Sequence, residues 1–400
     1  MLKTILSYLI IIFSKKAIKR YLLIAFVSLF VGIYIFELYL LSFGYPHVQK
    51  VIKLKSKKLK EKNGKMYDKR SKIKVFKDLK TTNENTALAL TSLYHQDDNI
   101  YTFSGIPHSQ TVCCNESGEY MIYQSDRYGF NNPDKEWDKN NIEYLLIGDS
   151  FTFGQAVNRP KDITSVLRSL SKKTSINLGN RGLGPLREYA VLREYYKKNT
   201  KNIIWLYFEE NDLNELKKEL KNKILIEYLK KNQYSQNLKQ KSEEINLILK
   251  NYQNSQLSFL SSAKRFIKLS KLRHYLRIIS NKNYYQDTEI NISESEEIVI
   301  EFEKILTKVN TFALSNKSNL LFVYLPSPLR YLPEYSFKNE NYKQILELVK
   351  GLNIDLLDIN MEIFKKEKDP KKLLPLGFNG HYNEIGYRKI AEAIYNFKPN

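Results

Sequence analysis

The apolar run LLIGDSFTFG, residues 145–154, carries Gly148-Asp149-Ser150 at its centre. Further along lie Gly182 in NLGNRG, Asn211 in FEEND and His381 in GFNGHYNEIGY. These four residue types are what acyl-ester chemistry asks for. A serine hydroxyl is a weak nucleophile until a base takes its proton, and imidazole titrates near neutral pH. The charge that develops on a carbonyl oxygen needs donors fixed in advance: a backbone N–H where glycine leaves room for substrate, and a side-chain amide. Ser150, Gly182, Asn211 and His381 offer a hydroxyl, a bare N–H, an amide and an imidazole. Plainer readings stand beside this one. Gly, Asp and Ser are turn residues, Asn211-Asp212 also reads as a helix N-cap pair, and a histidine can simply open a helix.

Four such residues work together only if strand ends converge. IEYLLIG (142–148) reads as a buried strand, TSINLGNRG as a second strand running into glycines, NIIWLYFEEND as a third, NLLFVYLP (319–326) as a fourth and IDLLDI as a short fifth. Between and after them, DITSVLRSLSKK, PLREYAVLREYYKK and NEIGYRKIAEAIYNF have helical spacing. This alternation predicts an α/β fold: a doubly wound parallel sheet with helices on both faces, three layers in the flavodoxin-like manner. In such sheets sites form at the carboxyl ends of strands, which is where Ser150, Gly182 and Asn211 fall.

The flanking segments set the domain plan. YLLIAFVSLFVGIYIFELYLLSF (21–43) is apolar but for Glu37, long enough to cross a bilayer and too long for a signal-peptide core. Residues 1–20 form a cytoplasmic or interfacial N-terminal segment. Residues 44–75 are a basic juxtamembrane helix or linker, and residues 76–140 an extension packing on the core. The α/β domain occupies 141–400, with a helical insertion at about 213–300. Within the insertion, AKRFIKLSKLRHYLR is basic and amphipathic. It reads as a lid, as a surface for an acidic polymer or membrane, or as a helical excursion with a solvated charged face. Lysines flank the span on both sides, so charge bias alone does not orient it.

Composition narrows the function classes. The formal net charge of +21 comes from lysines mixed with Glu along the chain. That fits a generally basic surface, and no zinc-finger, RNA-recognition or helix-turn-helix pattern accompanies it, so no nucleic-acid partner is expected. The two cysteines are adjacent, Cys113 and Cys114, which excludes a disulfide framework. The five histidines (His47, His95, His108, His274, His381) are scattered, so no metal and no cofactor is expected.

The order Gly-Asp-Ser, then Gly, then Asn-Asp, then a late His followed by YNEIGY resembles the SGNH (GDSL-type) hydrolase superfamily over roughly residues 140–400. SDRYGFNNPD, just upstream, is similar to a segment of membrane-anchored members associated with bacterial surface polysaccharides. The resemblance implies that Ser150 is the nucleophile and His381 the base. It also implies that the Ser150 N–H, the Gly182 N–H and the Asn211 side chain form an oxyanion hole. The implied activity is that of a membrane-anchored esterase on acyl, notably acetyl, esters of a cell-surface glycan. Its partners would be the lipid bilayer and an acylated polysaccharide or sugar. The implied location is the bacterial inner membrane, with the α/β domain on the periplasmic side. An acyltransferase on the same glycans, or a degenerate glycan-binding module, is the alternative. Two positions depart from the pattern. Many members carry Asp two or three residues before the histidine, where this chain has Asn379 and Phe378, so the site is either a Ser–His dyad or takes an acid or carbonyl from elsewhere. Glu210 stands where Gly often precedes the Asn, and brings a charge beside the oxyanion site unless it points away.

Overall fold

The computed structural model describes residues 15–280 and 289–399. In chain order, α1 (Lys15–Phe43) and α2 (Pro46–Asn63) precede a region of short strands. Then follow β1 (Ile142–Gly148), α3 (Ile163–Ser171), β2 (Ser175–Asn177), α4 (Pro185–Tyr195), β3 (Thr200–Phe208) and α5 (Asp212–Glu219). Next come α6 (Phe259–Ile267), α7 (Ser270–Ser280) and α8 (Glu296–Ser315). The chain closes with β4 (Asn319–Leu325), α9 (Tyr342–Gly351), β5 (Asp355–Asp358) and α10 (Glu384–Asn396). The described residues divide into two compact units: 15–54 with 254–280, and 55–253 with 289–399.

The larger unit is built on one sheet of order β2-β1-β3-β4-β5, parallel throughout. Leu146 pairs with Asn177 on one side and Ile204 on the other. This is the flavodoxin-like order. The chain leaves β1 in one direction to form β2, then crosses back to form β3, so a crevice opens at the carboxyl ends of β1 and β3. Both faces are covered, which is why the strands are apolar almost without alternation. Leu146, Leu206 and Val323 pack with Leu167 of α3 and Ile390 of α10. Leu145, Trp205 and Phe322 point the other way, among Leu186 of α4, Phe302 of α8 and Ile345 of α9. Local signals start the helices: Asp162 caps α3 at Ser165 N (2.9 Å), Pro185 opens α4, and Asn383 caps α10 at Ile385 N (2.9 Å). β2 is shorter than its apolar pattern: past Asn177, Gly179 runs so close to the turn after β1 that a Cβ there would lie 2.6 Å from Phe153 N.

Upstream of the sheet, Thr86–Leu88 pairs in parallel with Gln110–Val112, which pairs antiparallel with Ile122–Gln124. The last two strands form a hairpin whose tip is Cys113–Gly118. It is closed by Cys113 N donating to Met121 O (2.9 Å) and Met121 N to Cys114 O (2.8 Å). Phe103, Phe130 and Trp137 of this region enter the main core.

The smaller unit contains α1, α6 and α7. α1 is the one helix among the described residues that is long and apolar enough to cross a membrane. Most of its apolar side chains between Leu22 and Phe43 are exposed, while Leu40 is fully buried. Gly44, at φ +74°, and Pro46 end it.

Candidate active site

β1 ends on Gly148, and Ser150 opens a single helical turn, Ser150–Phe153. The acid beside the serine caps that turn: the Asp149 carboxylate accepts the Phe151 N–H (2.8 Å) and is itself fully buried. Phe151 packs its ring against those of His381 (4.6 Å) and Tyr382 (4.7 Å). The serine is therefore held at the crevice by a cap on one side and an aromatic wedge on the other.

His381 comes from the loop before α10, 231 residues later, and its Nε2 accepts a hydrogen bond from the Ser150 hydroxyl (2.8 Å). Its Nδ1–H donates to Glu116 Oε1 (2.8 Å), and its backbone N–H donates to Glu116 Oε2 (2.8 Å). The carboxylate thus grips the imidazole and the peptide that carries it, which fixes both ring orientation and tautomer. Gly380 makes the grip possible, because a Cβ there would stand 2.6 Å from Glu116 Oε2. Burial pushes the Glu116 carboxyl up, but the His381 charge and the hydrogen bonds from His381 and Gln155 outweigh it and hold it at about 2. Burial lowers His381, and the facing Glu116 carboxylate more than compensates, so the imidazole titrates above its ordinary value. Burial raises Asp149, against the hydrogen bond from Phe151.

Glu116 is the residue that sequence reasoning missed. The loop before His381 has no acid at 378 or 379; the acid arrives from elsewhere, at the tip of the hairpin in the N-terminal extension. Asn115 Oδ1 accepts the Gly118 N–H (2.8 Å) and shapes that tip. Nothing in CCNESGEY distinguishes this glutamate from a surface turn residue. Gln155 donates to Glu116 Oε1 (2.9 Å) and accepts from Arg181 Nε (2.8 Å). This chain of bonds ties the loop that carries Gly182 to the Glu116–His381 pair. From α2, Lys55 Nζ donates to the Glu116 carbonyl (3.2 Å).

The other predicted residues lie around this row. Asn211 follows β3, and its Nδ2 lies 3.5 Å from Asp149 Oδ2, the oxygen that also sits 3.2 Å from Ser150 Oγ. Its Oδ1 is buried without a hydrogen-bond partner. Asn211 stands at the N-cap position of α5, yet its side chain makes no capping bond; its amide turns to Asp149 at the crevice instead. Asp212 instead accepts the Phe208 N–H (2.8 Å). Gly182 adopts φ +70°, with open space where a Cβ would lie. The Glu210 carboxylate accepts a hydrogen bond from Ser327 Oγ (2.7 Å), and burial raises its pKa, with Glu209 adding to the rise and the nearby His381 opposing it.

SDRYGFNNPD has a structural task. Buried Asp126 accepts from Trp137 Nε1 (2.7 Å), Asn132 Nδ2 (2.9 Å) and Phe130 N (2.9 Å). Asn132 then exchanges hydrogen bonds with the backbone of Asn177 in β2, 2.8 Å each way. Asn177 Nδ2 in turn donates to Thr152 O (2.6 Å), within the serine's own turn. Cys113 is buried and Cys114 half-buried, and both are free thiols.

No protein-family model matches the sequence, and no curated protein matches it. Among solved structures, a protein assigned to the G-D-S-L lipolytic family from Desulfitobacterium hafniense DCB-2 aligns at 15% identity with a TM-score of 0.33. The alignment covers 64% of this chain and 98% of that one. The acetyl xylan esterase AlAXEase aligns at 13% identity, also with a TM-score of 0.33, over 64% of this chain and 98% of its own.

Proposed function

We propose that this protein is a membrane-anchored serine esterase of the SGNH type, acting on acyl esters, with acetyl first in order, of a cell-surface glycan. The observation that carries the reading is the hydrogen-bonded row Ser150–His381–Glu116 at the sheet's switch point. A degenerate binding module has no use for a half-buried carboxylate that holds the histidine's tautomer.

The chemistry follows from the contacts. As Ser150 Oγ attacks the ester carbonyl, its proton passes to His381 Nε2, and the imidazolium that forms faces the Glu116 carboxylate. The carbonyl oxygen, now an alkoxide, takes hydrogen bonds from the Ser150 and Gly182 N–H groups and the Asn211 amide. The tetrahedral adduct collapses, the C–O bond to the sugar breaks, and His381 returns its proton to the leaving sugar oxygen. A water, deprotonated by the same imidazole, then cleaves the acyl-enzyme and releases the acid and free Ser150. A sugar hydroxyl in place of that water would make the same site an acyltransferase.

α1 supplies the anchor in this reading. Lys15, Lys16, Lys19 and Arg20 lead into its apolar run, and together with the glycan substrate of this reading they favour a cytoplasmic side for that end of the span and an α/β domain on the far side of the inner membrane. The test is intact-mass labelling of the full chain in detergent with a serine-reactive phosphonate. A single adduct on the wild type, absent from Ser150→Ala and His381→Ala, is expected; a folded wild type that takes no label would sink the esterase reading. Release of acetate from an acetylated polysaccharide then tests the substrate class.

A further inference from the structure

One acid interrupts the apolar run of α1. Glu37 is fully buried, although Ile35 and Leu38 beside it are 60% and 51% exposed. Its carboxylate accepts the backbone N–H groups of Lys271 (3.0 Å) and Leu272 (2.6 Å), in the first turn of α7. Those amides have no partner within their own helix and carry the positive end of its dipole. Glu37 meets two of them with a full negative charge. About one turn earlier on α1, the Tyr34 hydroxyl donates to Ile267 O, the last residue of α6 (3.0 Å). The Tyr34 ring meets that of Phe266 edge-on at 5.3 Å. Tyr275 of α7 packs on Phe36 and Tyr45. The junction of α6 and α7 is thus docked on residues 34–45, and an acid that is costly in hydrocarbon gains a partner there.

The rest of both helices is uncovered. Neither has a buried side chain, and Phe259 and Leu260 are 84% and 74% exposed, with Ile267, Leu276 and Ile279 also open. Among them stand Lys264, Arg265, Lys268, Lys271, Arg273 and Arg277, and no acid occurs from 254 to 280. Apolar side chains beside cations that form no ion pair with a carboxylate among the described residues suit the boundary between acyl chains and anionic headgroups. The depth agrees: at 1.5 Å per residue, Glu37 lies about 9 Å along α1 from Phe43, and interfacial helices bury their apolar face by about 5–10 Å.

We propose that α6 and α7 form a membrane foot, pinned to α1 by Glu37, whose ligand is the anionic phospholipid surface of the leaflet at the Phe43 end. This rests on reading α1 as a membrane span. The test reconstitutes the full chain in bilayers with brominated acyl chains, with tryptophan introduced by Phe259→Trp or, as a control within α1, by Val31→Trp. The native Trp137 and Trp205 are buried in the larger unit and supply a constant background. Both introduced indoles are expected to lose most of their emission, and Phe259→Trp more completely in phosphatidylglycerol than in phosphatidylcholine. Adding Glu37→Ala is expected to weaken quenching at 259 and leave it unchanged at 31, with Glu37→Gln in between. Quenching at 31 without quenching at 259 overturns the foot, whereas no quenching at either position overturns the span. Equal quenching in the two lipids overturns the preference for anionic headgroups. Quenching at 259 that ignores Glu37→Ala overturns the pin.

Discussion

Two carboxylates stand beside the proposed nucleophile, and they come from opposite kinds of place. Asp149 is its chain neighbour, at the end of β1; Glu116 lies 34 positions upstream, on a hairpin tip outside the main sheet. The neighbour turns to the backbone and caps the turn that starts with Ser150. The distant one takes the imidazole Nδ1–H on one oxygen and the His381 backbone N–H on the other. A residue next to a nucleophile at a strand-to-helix turn is committed by geometry to the orphan amides of that turn. The group that orients the base must approach from the far side of the ring, which only another element can supply.

The comparison can be broken most directly at the serine. Ser150→Ala should lower kcat on an acetyl ester by about 10⁴–10⁶-fold, read in a stopped acetate-release assay. Residual activity near wild type would move the nucleophile elsewhere. The contrast between the two acids comes next. Glu116→Gln should lose about 10³–10⁴-fold in kcat, because the amide cannot hold the tautomer or face an imidazolium. Asp149→Asn should stay within about tenfold, since Asn caps as well as Asp. Comparable losses from both substitutions would erase the distinction.

The pH profile sharpens it. His381 must be neutral to act as a base, and Glu116 holds its pKa above the ordinary value of 6.5. In the wild type, kcat/KM should therefore rise with pH along a limb that lies above that value. In Glu116→Gln burial is opposed only by the smaller contributions of Asp149 and Cys113, so the limb should move to lower pH. A limb that stays in place would show that Glu116 does not set the basicity of His381. A steric substitution tests the same grip. Gly380→Ala puts a methyl 2.6 Å from Glu116 Oε2 and should cost about 10–100-fold in kcat by misplacing the pair, with KM little changed. A loss in KM alone would place Gly380 in substrate binding instead.

Much of this molecule is legible in its residues. IEYLLIG and NLLFVYLP are apolar because both sheet faces are covered, and that same fact makes them recognisable as central parallel strands. β2 was harder to bound, because the backbone of the serine's turn, and not a change of hydropathy, stops it beyond Asn177. Ser150 and His381 stand out by type and order, whereas Glu116 sits in a stretch whose composition says only turn. Glu210 is ambiguous for the same reason: its hydrogen-bond partner, Ser327, lies 117 positions away and the local sequence does not name it.

By itself the sequence determined the alternation of strands and helices, the apolar N-terminal run, and a serine, an amide and a histidine at strand or loop ends. These are local properties, written in periodicity, in turn chemistry and in the length of an apolar stretch. Only the tertiary structure decided which acid orients His381, where Glu210 points and what Glu37 does inside an apolar helix. Each of those depends on a contact between residues more than a hundred positions apart. A carboxylate's role is set by the donor it meets, and its own neighbours in the chain do not say which donor that is.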